Sequence, residues 1–418
     1  MNPLDPPRAT VDAEGRLVIP PEVAARLGLV PGSTVLVDEE RNSLRLRHPV
    51  EHLTKVYVQP MVSGDVPSAA CARDPRPEPP GGMTGETFDR ILKSLGAFAS
   101  PPAVLFGGPG EPLAHPGIVE MVARAKAAGA PKVELITSGY LLGEEMAKQL
   151  IQAGLDTLWV SLDGIRPESY ADARLGALLP RVLENLRRLS EIRLRKRIAD
   201  LSPEEREHLR INYLWFQQFW SLPEPTPALG IVFVAMKRNI ADLPQLLLEM
   251  HELGARYFLV TNVLPHSEAL LNEMLYRDRL GITPFPTLWS DRLSLPPMDV
   301  DEVTRQPLQA AIRSYGDGFT STDTSNVTRR CPFVEAGSMS IDWRGRVFPC
   351  LPLTHGHDEV LPGLSRRVGA RPVGDLAERT LAEIWMDSAY LAFRRRVQEL
   401  DFAPCDGCLY SQGLILCP

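Results

Sequence analysis

Cysteine is the residue type whose distribution in this chain most clearly indicates chemistry. Only six of the 418 residues are cysteine, and five of them lie at or beyond position 331. Cys331 and Cys350 form one pair, with Gly345 in the turn before the second, and Cys405-x2-Cys408 forms another. Four thiolates in two pairs can fill a tetrahedral iron–sulfur or zinc site. The spacing therefore predicts a metal centre held by these four cysteines.

The nature of that centre stays open at the level of sequence. His355 and His357 follow Cys350 closely, so zinc with histidine ligands competes with an auxiliary [4Fe-4S] cluster. Buried thiols without any metal are the third alternative. Beyond the second pair the chain has only Cys417, whose role is open, and one further thiol does not suffice for a second cluster.

The remaining cysteine, Cys71, stands alone near the start of a series of alternating strands and helices. Its segment, residues 61–82, is rich in proline and small residues. Such a composition suits a relaxed loop. A partly buried structural thiol therefore competes with a metal ligand as the interpretation of Cys71.

The elements that must position these residues form a regular alternation. Runs of buried-type residues alternate with helical patterns in which apolar residues recur every three or four positions, which predicts a parallel sheet in an α/β fold. The predicted strands are Val56–Pro60, Ala103–Phe106, Lys132–Thr137, Thr157–Leu162, Gly230–Met236 and Tyr257–Val263, and the predicted helices cover about 84–96, 117–128, 143–153, 178–195 and 241–253.

Polar and glycine-bearing loops follow three of these strands, and right-handed crossovers would place all of them at one edge of the sheet. Small residues allow a backbone to approach a ligand. The hydroxyls and carboxylates suit a ribose or an amine, and a guanidinium suits a carboxylate, which together are the groups of S-adenosylmethionine. The candidate residues are Gly107, Gly108, Gly110, Glu111, Ser138, Ser161, Asp163 and Arg174.

Composition excludes several classes of protein. The net charge of −7 argues against nucleic-acid binding by the chain as a whole. We find no secretory signal and no apolar run of membrane-spanning length, so we expect a cytoplasmic protein. In that reducing compartment clustered cysteines indicate a metal or redox site rather than disulfides.

Two segments depart from the alternating pattern. Residues 190–228 form a predicted helical insertion, in which we expect the basic run Arg193–Arg197 to be the solvated end of a helix and the aromatic residues of 213–220 to pack on the core or on a partner. Residues 1–50 form a small β module. Its segments Gly15–Pro20, Arg26–Gly28 and Pro31–Gly32 resemble the swapped-hairpin module of the AbrB/SpoVT family. The resemblance implies a homodimer. Because the local charge of the module is mixed, DNA is an unfavoured partner.

Residues 55 to about 410 resemble a radical S-adenosylmethionine protein with a C-terminal SPASM or twitch extension, and within that superfamily the maturases linked to tungsten-containing aldehyde oxidoreductases. The stretches that carry the resemblance are KVYVQP, FGGPGEPLAHPG, VELITSGYLL, AGLDTLWVSLDG, FVAMKRNIADLPQLL and CPFVEAGSMSIDWRGRVFPCLPLTH.

That resemblance implies a fold, three domains and cofactors. It implies a partial (βα)6 TIM-like barrel over residues 51–300, the small β module over 1–50 and an iron–sulfur domain over 301–418. Gly107, Gly108, Gly110 and Glu111 would face the amino end of the methionine moiety of S-adenosylmethionine. Ser138, Ser161, Asp163 and Arg174 would line its ribose or carboxylate side, and Cys331, Cys350, Cys405 and Cys408 would hold an auxiliary [4Fe-4S] cluster.

The catalytic cluster motif departs from the superfamily pattern. Members carry C-x3-C-x2-C after the first strand, where three thiolates hold a [4Fe-4S] cluster and leave one iron for S-adenosylmethionine. In register this chain has Gly64, Ser68 and Cys71. Glycine offers no ligand and serine is a poor one for iron, so Cys71 is the remnant of a site that has lost two thiolates.

Two functions from different classes follow. The first is a radical S-adenosylmethionine maturase that acts on a tungsten or related oxidoreductase, its peptide or its cofactor. The second is a non-catalytic scaffold or chaperone that binds S-adenosylmethionine or a peptide. A DNA-binding regulator that uses residues 1–50 is the least favoured alternative because the chain is acidic.

Overall fold

The computed structural model describes residues 9–26, 29, 35–40, 43–47, 49–62, 81–98, 100–202, 226–276, 288–289, 293–296, 298–315, 320–321, 331–361 and 363–398. The predictions for the aromatic insertion, for Gly64, Ser68 and Cys71, and for Cys405, Cys408 and Cys417 concern residues outside these ranges.

Two antiparallel hairpins and one short helix form the N-terminal module. In the first hairpin Gly15 has a φ of +77°, and Asp12 Oδ1 accepts the N–H of Arg16 at 2.8 Å, which closes the turn. Both hairpins agree with the β-rich pattern of the sequence, while the AbrB-like assignment stays a prediction. The elements are β1 (Thr10–Val11), β2 (Leu17–Val18), α1 (Pro21–Arg26), β3 (Leu36–Glu40) and β4 (Ser43–Arg47).

Strands and helices then alternate through the centre of the chain. Each of the six predicted strands and five predicted helices is present, and most of their ends lie within two residues of the predicted ones. The elements are β5 (Lys55–Val58), β6 (Met61–Val62), β7 (Gly81–Gly82), α2 (Gly85–Leu95), β8 (Ala103–Phe106), α3 (Ile118–Ala127), β9 (Val133–Thr137), α4 (Glu144–Gln152), β10 (Thr157–Ser161), α5 (Ala173–Asp200), β11 (Ala228–Ala235), α6 (Leu243–Glu252), β12 (Ala255–Asn262) and α7 (Glu268–Leu271).

Six of these strands form a parallel sheet. The hydrogen-bonded order is β5, β8, β9, β10, β11, β12, and every neighbouring pair is parallel. The prediction of a mainly parallel α/β sheet is therefore confirmed. All six strands end at the same edge, which we call the carboxyl edge of the sheet. Closure toward a partial barrel stays a prediction.

The C-terminal part of the chain extends the same sheet. Strand β16 pairs in parallel with β5, with Ser340 opposite Tyr57, and β17 and β20 continue the sheet antiparallel. The elements of this part are β13 (Leu288–Trp289), β14 (Leu293–Leu295), α8 (Arg305–Tyr315), β15 (Thr320–Ser321), α9 (Pro332–Glu335), β16 (Ser338–Ile341), β17 (Arg346–Phe348), β18 (His357–Leu361), β19 (Leu364–Val368), β20 (Gly374–Asp375), α10 (Leu381–Trp385) and α11 (Ser388–Gln398).

One face of the parallel sheet is covered by the helices. In α2 the Thr84 side chain caps the N–H of Thr87, and Phe88 and Ile91 are buried against strand residues such as Phe106. Burying each side chain of this size contributes about 1.5–3 kcal/mol, so this face holds most of the core. Among the described residues no helix has the length and hydropathy needed to cross a membrane.

Helix α5 differs from its prediction at both ends. Asp172 caps its first turn, the helix begins at Ala173, five residues before the predicted start, and it continues to Asp200. The expectation that the basic run is wholly solvated is wrong, because Arg193 and Arg197 are buried and Arg193 Nη1 donates to the carbonyl of Gly254 at 3.0 Å. Four of the five residues in the run are cationic, so its composition did not indicate this inward-facing side of the helix.

On the other face of the sheet, a buried carboxylate contacts residues in or next to the amino-terminal parts of three strands. Glu134 in β9 accepts from Lys55 Nζ at 2.8 Å, from Lys132 Nζ at 2.7 Å and from Trp159 Nε1 at 3.2 Å. Burial opposes ionisation of Glu134, but the charges of Lys55 and Lys132 outweigh it and lower its pKa from 4.5 to about 2. The ionised group therefore stabilises the fold at the amino ends of these strands.

This carboxylate predicts an acid-dependent loss of stability. Because the pKa of Glu134 is depressed in the folded state, its contribution is present above pH 4.5 and disappears as the pH falls toward 2. We expect Glu134→Gln to lower the free energy of unfolding by about 2–3 kcal/mol at pH 7 and by much less at pH 3. Urea unfolding at both pH values measures this. The exposed Glu120→Gln is the control, and an equal loss at both pH values would contradict the prediction.

Candidate functional site

Glu111 joins the loops that follow β8 and β9 at the carboxyl edge. The carboxylate is buried, with Oε1 accepting from Thr137 Oγ1 at 2.7 Å and from Leu113 N at 3.0 Å. Oε2 accepts from Ser138 N at 3.0 Å and from the Ser138 hydroxyl. The structure thus brings two predicted site residues, Glu111 and Ser138, into direct contact. Each carboxylate oxygen already accepts two hydrogen bonds, so in this state Glu111 organises the two loops.

The glycines before Glu111 allow the chain to pass close to the end of β5 and to β6. Gly108 has a φ of +117°, a conformation that favours glycine. A Cβ atom at Gly110 would lie 2.1 Å from the carbonyl oxygen of Met61. Gly110 is therefore required for the approach of this loop to the chain that leads into residues 63–80.

Asp163 lies just beyond β10, two residues after the half-buried Ser161. Its side chain is 6% exposed, and burial raises its pKa to about 7. Near neutral pH this carboxyl group therefore changes between a hydrogen-bond donor and an anion.

Asn239 and Asp242 hold the Asp163 loop in place, and sequence reasoning had missed both. Asn239 is fully buried, and its Nδ2 donates to the carbonyls of Asp163 at 2.9 Å and Val234 at 2.8 Å. Asp242 accepts from Arg166 and from the Ser169 hydroxyl. Both residues fall in the stretch FVAMKRNIADLPQLL, so the signal was a polar pair directly after a buried strand.

Arg174 shows no contact with the other candidate residues. Its Nη2 donates to Asp172 Oδ2 at 2.8 Å, its Nε donates to Asp172 Oδ1, and 65% of its side chain is exposed. Asp172 also caps α5, so the pair belongs to the start of that helix. The carboxylate-binding role of Arg174 stays a prediction that would require its guanidinium to leave Asp172.

The chain on either side of residues 63–80 is held together by a short antiparallel pair. Strand β6 pairs with β7, Met61 opposite Gly82. His115 accepts the N–H of Gly117 at Nδ1, so its Nε2 carries the proton donated to Met83 O at 2.9 Å. Residues before and after the segment that contains Gly64, Ser68 and Cys71 are therefore fixed at the carboxyl edge.

Two residues of the C-terminal part contact the residues that flank 63–80. The ring of Trp343 lies so close to Gly81 that a Cβ there would be 2.4 Å from it. His355 Nε2 lies 2.9 Å from Gln59 Oε1, and Gln59 follows β5 directly. These contacts connect the C-terminal part to both chain segments that flank residues 63–80.

Cys331 and Cys350 are brought to one side of the molecule. Both are half-buried and pack against the same apolar cluster, which contains Phe333 and Tyr57. Cys331 directly precedes α9, and Cys350 follows β17. Within the described ranges no three His, Cys, Asp or Glu side chains form a metal site, so a complete centre would need further ligands from outside those ranges. Two thiols at the edge of an apolar cluster fit an iron–sulfur or zinc centre, both of which thiolates favour.

The two histidines suggested as zinc ligands have protein partners. His355 faces Gln59, and its backbone carbonyl lies 3.2 Å from His357 Nδ1. His357 is buried, with its Nε2 3.6 Å from Glu359 Oε1. These contacts favour a centre held by cysteines alone over one that uses either imidazole.

Comparison with family models assigns both parts of the chain. Residues 68–209 match the radical SAM superfamily, and residues 331–409 match the SPASM iron–sulfur cluster-binding domain. The chain therefore contains a radical S-adenosylmethionine domain and a SPASM domain, in agreement with the sheet, the carboxyl-edge loops and the position of Cys331 and Cys350.

Among curated proteins, the tungsten-containing aldehyde ferredoxin oxidoreductase cofactor-modifying protein of Pyrococcus furiosus is 25% identical over 78% of this chain and 79% of its own length. A probable GTP 3′,8-cyclase of Methanocaldococcus jannaschii is 27% identical over 41% of this chain and 46% of its own. Among solved structures, Streptococcus suis SuiB bound to S-adenosylmethionine matches 87% of this chain and 72% of its own, with a TM-score of 0.53 and 13% identity, which shows a shared fold.

Proposed function

We propose that this protein is a radical S-adenosylmethionine-type maturase, located in the cytoplasm, that acts on a tungsten or related oxidoreductase, its peptide or its cofactor. The observation that carries the proposal is that one continuous sheet joins the radical S-adenosylmethionine domain to the SPASM domain through β5 and β16. The sequence of the Pyrococcus furiosus relative aligns with 78% of this chain, which supports the tungsten-enzyme target.

The chain's own residues would have separate tasks in this function. Glu111 holds the Ser138 loop, and Asn239 and Asp242 hold the Asp163 loop, so the carboxyl edge is organised without a ligand. Asp163 and Ser161 would contact the ribose of S-adenosylmethionine. Cys331, Cys350, Cys405 and Cys408 would hold the auxiliary [4Fe-4S] cluster. A catalytic [4Fe-4S] cluster supplies the electron for reductive cleavage of S-adenosylmethionine in this superfamily.

A second candidate function rests on Gly64 and Ser68. These residues stand where two of three thiolates are required, so the chain alone lacks the ligands for a stable catalytic cluster. The alternative is a non-catalytic scaffold that binds S-adenosylmethionine or a peptide of the target. Both functions use the same carboxyl edge and the same auxiliary cluster.

A homodimer through the N-terminal module accompanies either function as a proposal. Val11 is 68% exposed and Val37 is 57% exposed, and Leu17, Val18 and Leu36 on the same hairpins are also exposed. Exposed apolar residues concentrated on one small module are typical of an interaction surface, and a second copy would cover them.

Iron analysis after anaerobic reconstitution tests the proposed cofactors. We expect about four irons per chain in the wild-type protein, retained in Cys71→Ala and lost in both Cys331→Ala and Cys405→Ala. Cys71→Ala is the matched control because it removes one thiol outside the auxiliary site. Zinc in place of iron would rule out the auxiliary iron–sulfur cluster. About eight irons per chain in the wild type would mean that the protein still binds a catalytic cluster.

A further inference from the structure

Arg394 is a buried cation that forms no ion pair within the described ranges, although the Glu51 carboxylate attracts it through space. Its side chain lies in α11 and is 1% exposed. Nη2 donates to Trp385 O at 2.7 Å and Nε donates to Val50 O at 3.2 Å, while Nη1 is buried and makes no hydrogen bond of good geometry. The nearby carboxylate of Glu51 forms its ion pair with Arg395 at 2.7 Å.

Aromatic rings hold the guanidinium in a fixed orientation. Its carbon lies 3.6 Å from the ring centre of Trp385 and 4.3 Å from that of Tyr390. Cation–π contacts of this kind stabilise a desolvated cation. A buried charge without an ion pair costs more than such contacts return, so a further anion beside Arg394 would stabilise it.

Two of the proposed cluster ligands, Cys331 and Cys350, lie near the helix that carries this guanidinium. Helix α9, which begins directly after Cys331, packs on α11. Burial raises the pKa of the Tyr390 hydroxyl, and the nearby sulfurs of Cys350 and Cys331 raise it further. The charge of Arg394 acts in the opposite direction and lowers this pKa. Tyr390 and Arg394 are one helical turn apart and therefore share a face of α11. The same ring is thus in contact with Arg394 and within electrostatic range of both cysteines.

We propose that Arg394 is the counter-cation of the auxiliary iron–sulfur cluster and raises its reduction potential. The inference rests on the proposed cluster at Cys331, Cys350, Cys405 and Cys408. A cluster held by four thiolates is anionic, and nearby positive charge and hydrogen bonds to sulfur favour its reduced form. The residue would tune the cluster without ligating it.

Redox titration followed by electron paramagnetic resonance tests the charge effect. Arg394→Gln keeps a donor for the two carbonyls but removes the charge, and we expect the midpoint potential to fall by about 59 mV, a tenfold change for one electron. Arg394→Lys keeps the charge and should retain most of the potential. Arg395→Gln makes the same charge change on the next residue, whose side chain is 56% exposed, and should leave the potential nearly unchanged.

Thermal unfolding of loaded and cluster-free protein gives a second readout. If the cluster compensates the cation, Arg394→Gln lowers the Tm of the loaded protein more than that of the cluster-free protein. Equal losses in both forms would assign the missing anion to a carboxylate of residues 399–418 and overturn the proposal, as would equal potentials in all variants. Absence of iron from the wild-type protein would instead overturn the proposed cluster, and the inference with it.

Discussion

Restoring two cysteines, by Gly64→Cys together with Ser68→Cys, is expected to convert this protein into one that cleaves S-adenosylmethionine. The double variant would contain three thiolates with the superfamily spacing, including Cys71, and so could hold a [4Fe-4S] cluster with one open iron. We expect iron to rise from about four to about eight per chain. With a reductant, 5′-deoxyadenosine should form in the variant and stay at background in the wild type.

The control for this gain is Gly64→Ala with Ser68→Ala, which changes the same positions without adding ligands. It should behave as the wild type in both assays. Robust formation of 5′-deoxyadenosine by the wild-type protein would contradict the prediction and would mean that other groups complete the catalytic site. A double variant that gains iron but forms no 5′-deoxyadenosine would also contradict the prediction, because the two missing thiolates would then not be all that cleavage lacks.

Replacing Asn239 with alanine is expected to cause the second large effect. The change removes hydrogen bonds to the backbone of Met236, Val234 and Asp163, all inside the protein. Each buried backbone group left without a partner costs about 1–3 kcal/mol. We expect the free energy of unfolding to fall by about 3 kcal/mol or more, and the affinity for S-adenosylmethionine to fall at least tenfold because the Asp163 loop loses its anchor.

Denaturant unfolding and equilibrium binding of S-adenosylmethionine separate the two consequences. Gln245→Ala is the control, since that amide lies on the exposed side of α6, where its Nε2 donates to Glu249. It should change neither quantity appreciably. If Asn239→Ala lost stability but bound S-adenosylmethionine normally at a temperature where it is folded, the proposed role of the Asp163 loop in binding would be wrong.

Much of the α/β architecture could be predicted because it depends on local pattern. Strand β10 has an apolar centre, Leu158–Val160, between turn signals, and α2 carries its own N-cap and apolar stripe. These signals act within about ten residues, so element type and order followed from the sequence. The ends of α5 did not, because its cap at Asp172 lies before the apolar periodicity becomes regular and Pro180 stands inside the helix.

Residues that act through long-range contacts could not be predicted in the same way. Asn239 and Asp242 are ordinary polar residues at a helix start until the fold places them beneath the loop after β10. Arg394 belongs to a run of three arginines at the end of a helix, and nothing local distinguishes the buried one from its exposed neighbours. Burial and partner identity are properties of packing, which the linear pattern does not contain.

The sequence by itself determined the residue types that could do chemistry and the order of the elements around them: two pairs of C-terminal cysteines, polar loops after successive strands, and a catalytic motif that retains only Cys71. The tertiary structure alone decided which of these meet. It paired β16 with β5 across some 280 residues of chain, joined Glu111 to Ser138, committed Arg174 to Asp172, and placed Trp343 and His355 against Gly81 and Gln59, which flank residues 63–80. Parallel pairing between distant segments depends on complementary surfaces formed only on folding, and no local periodicity encodes it.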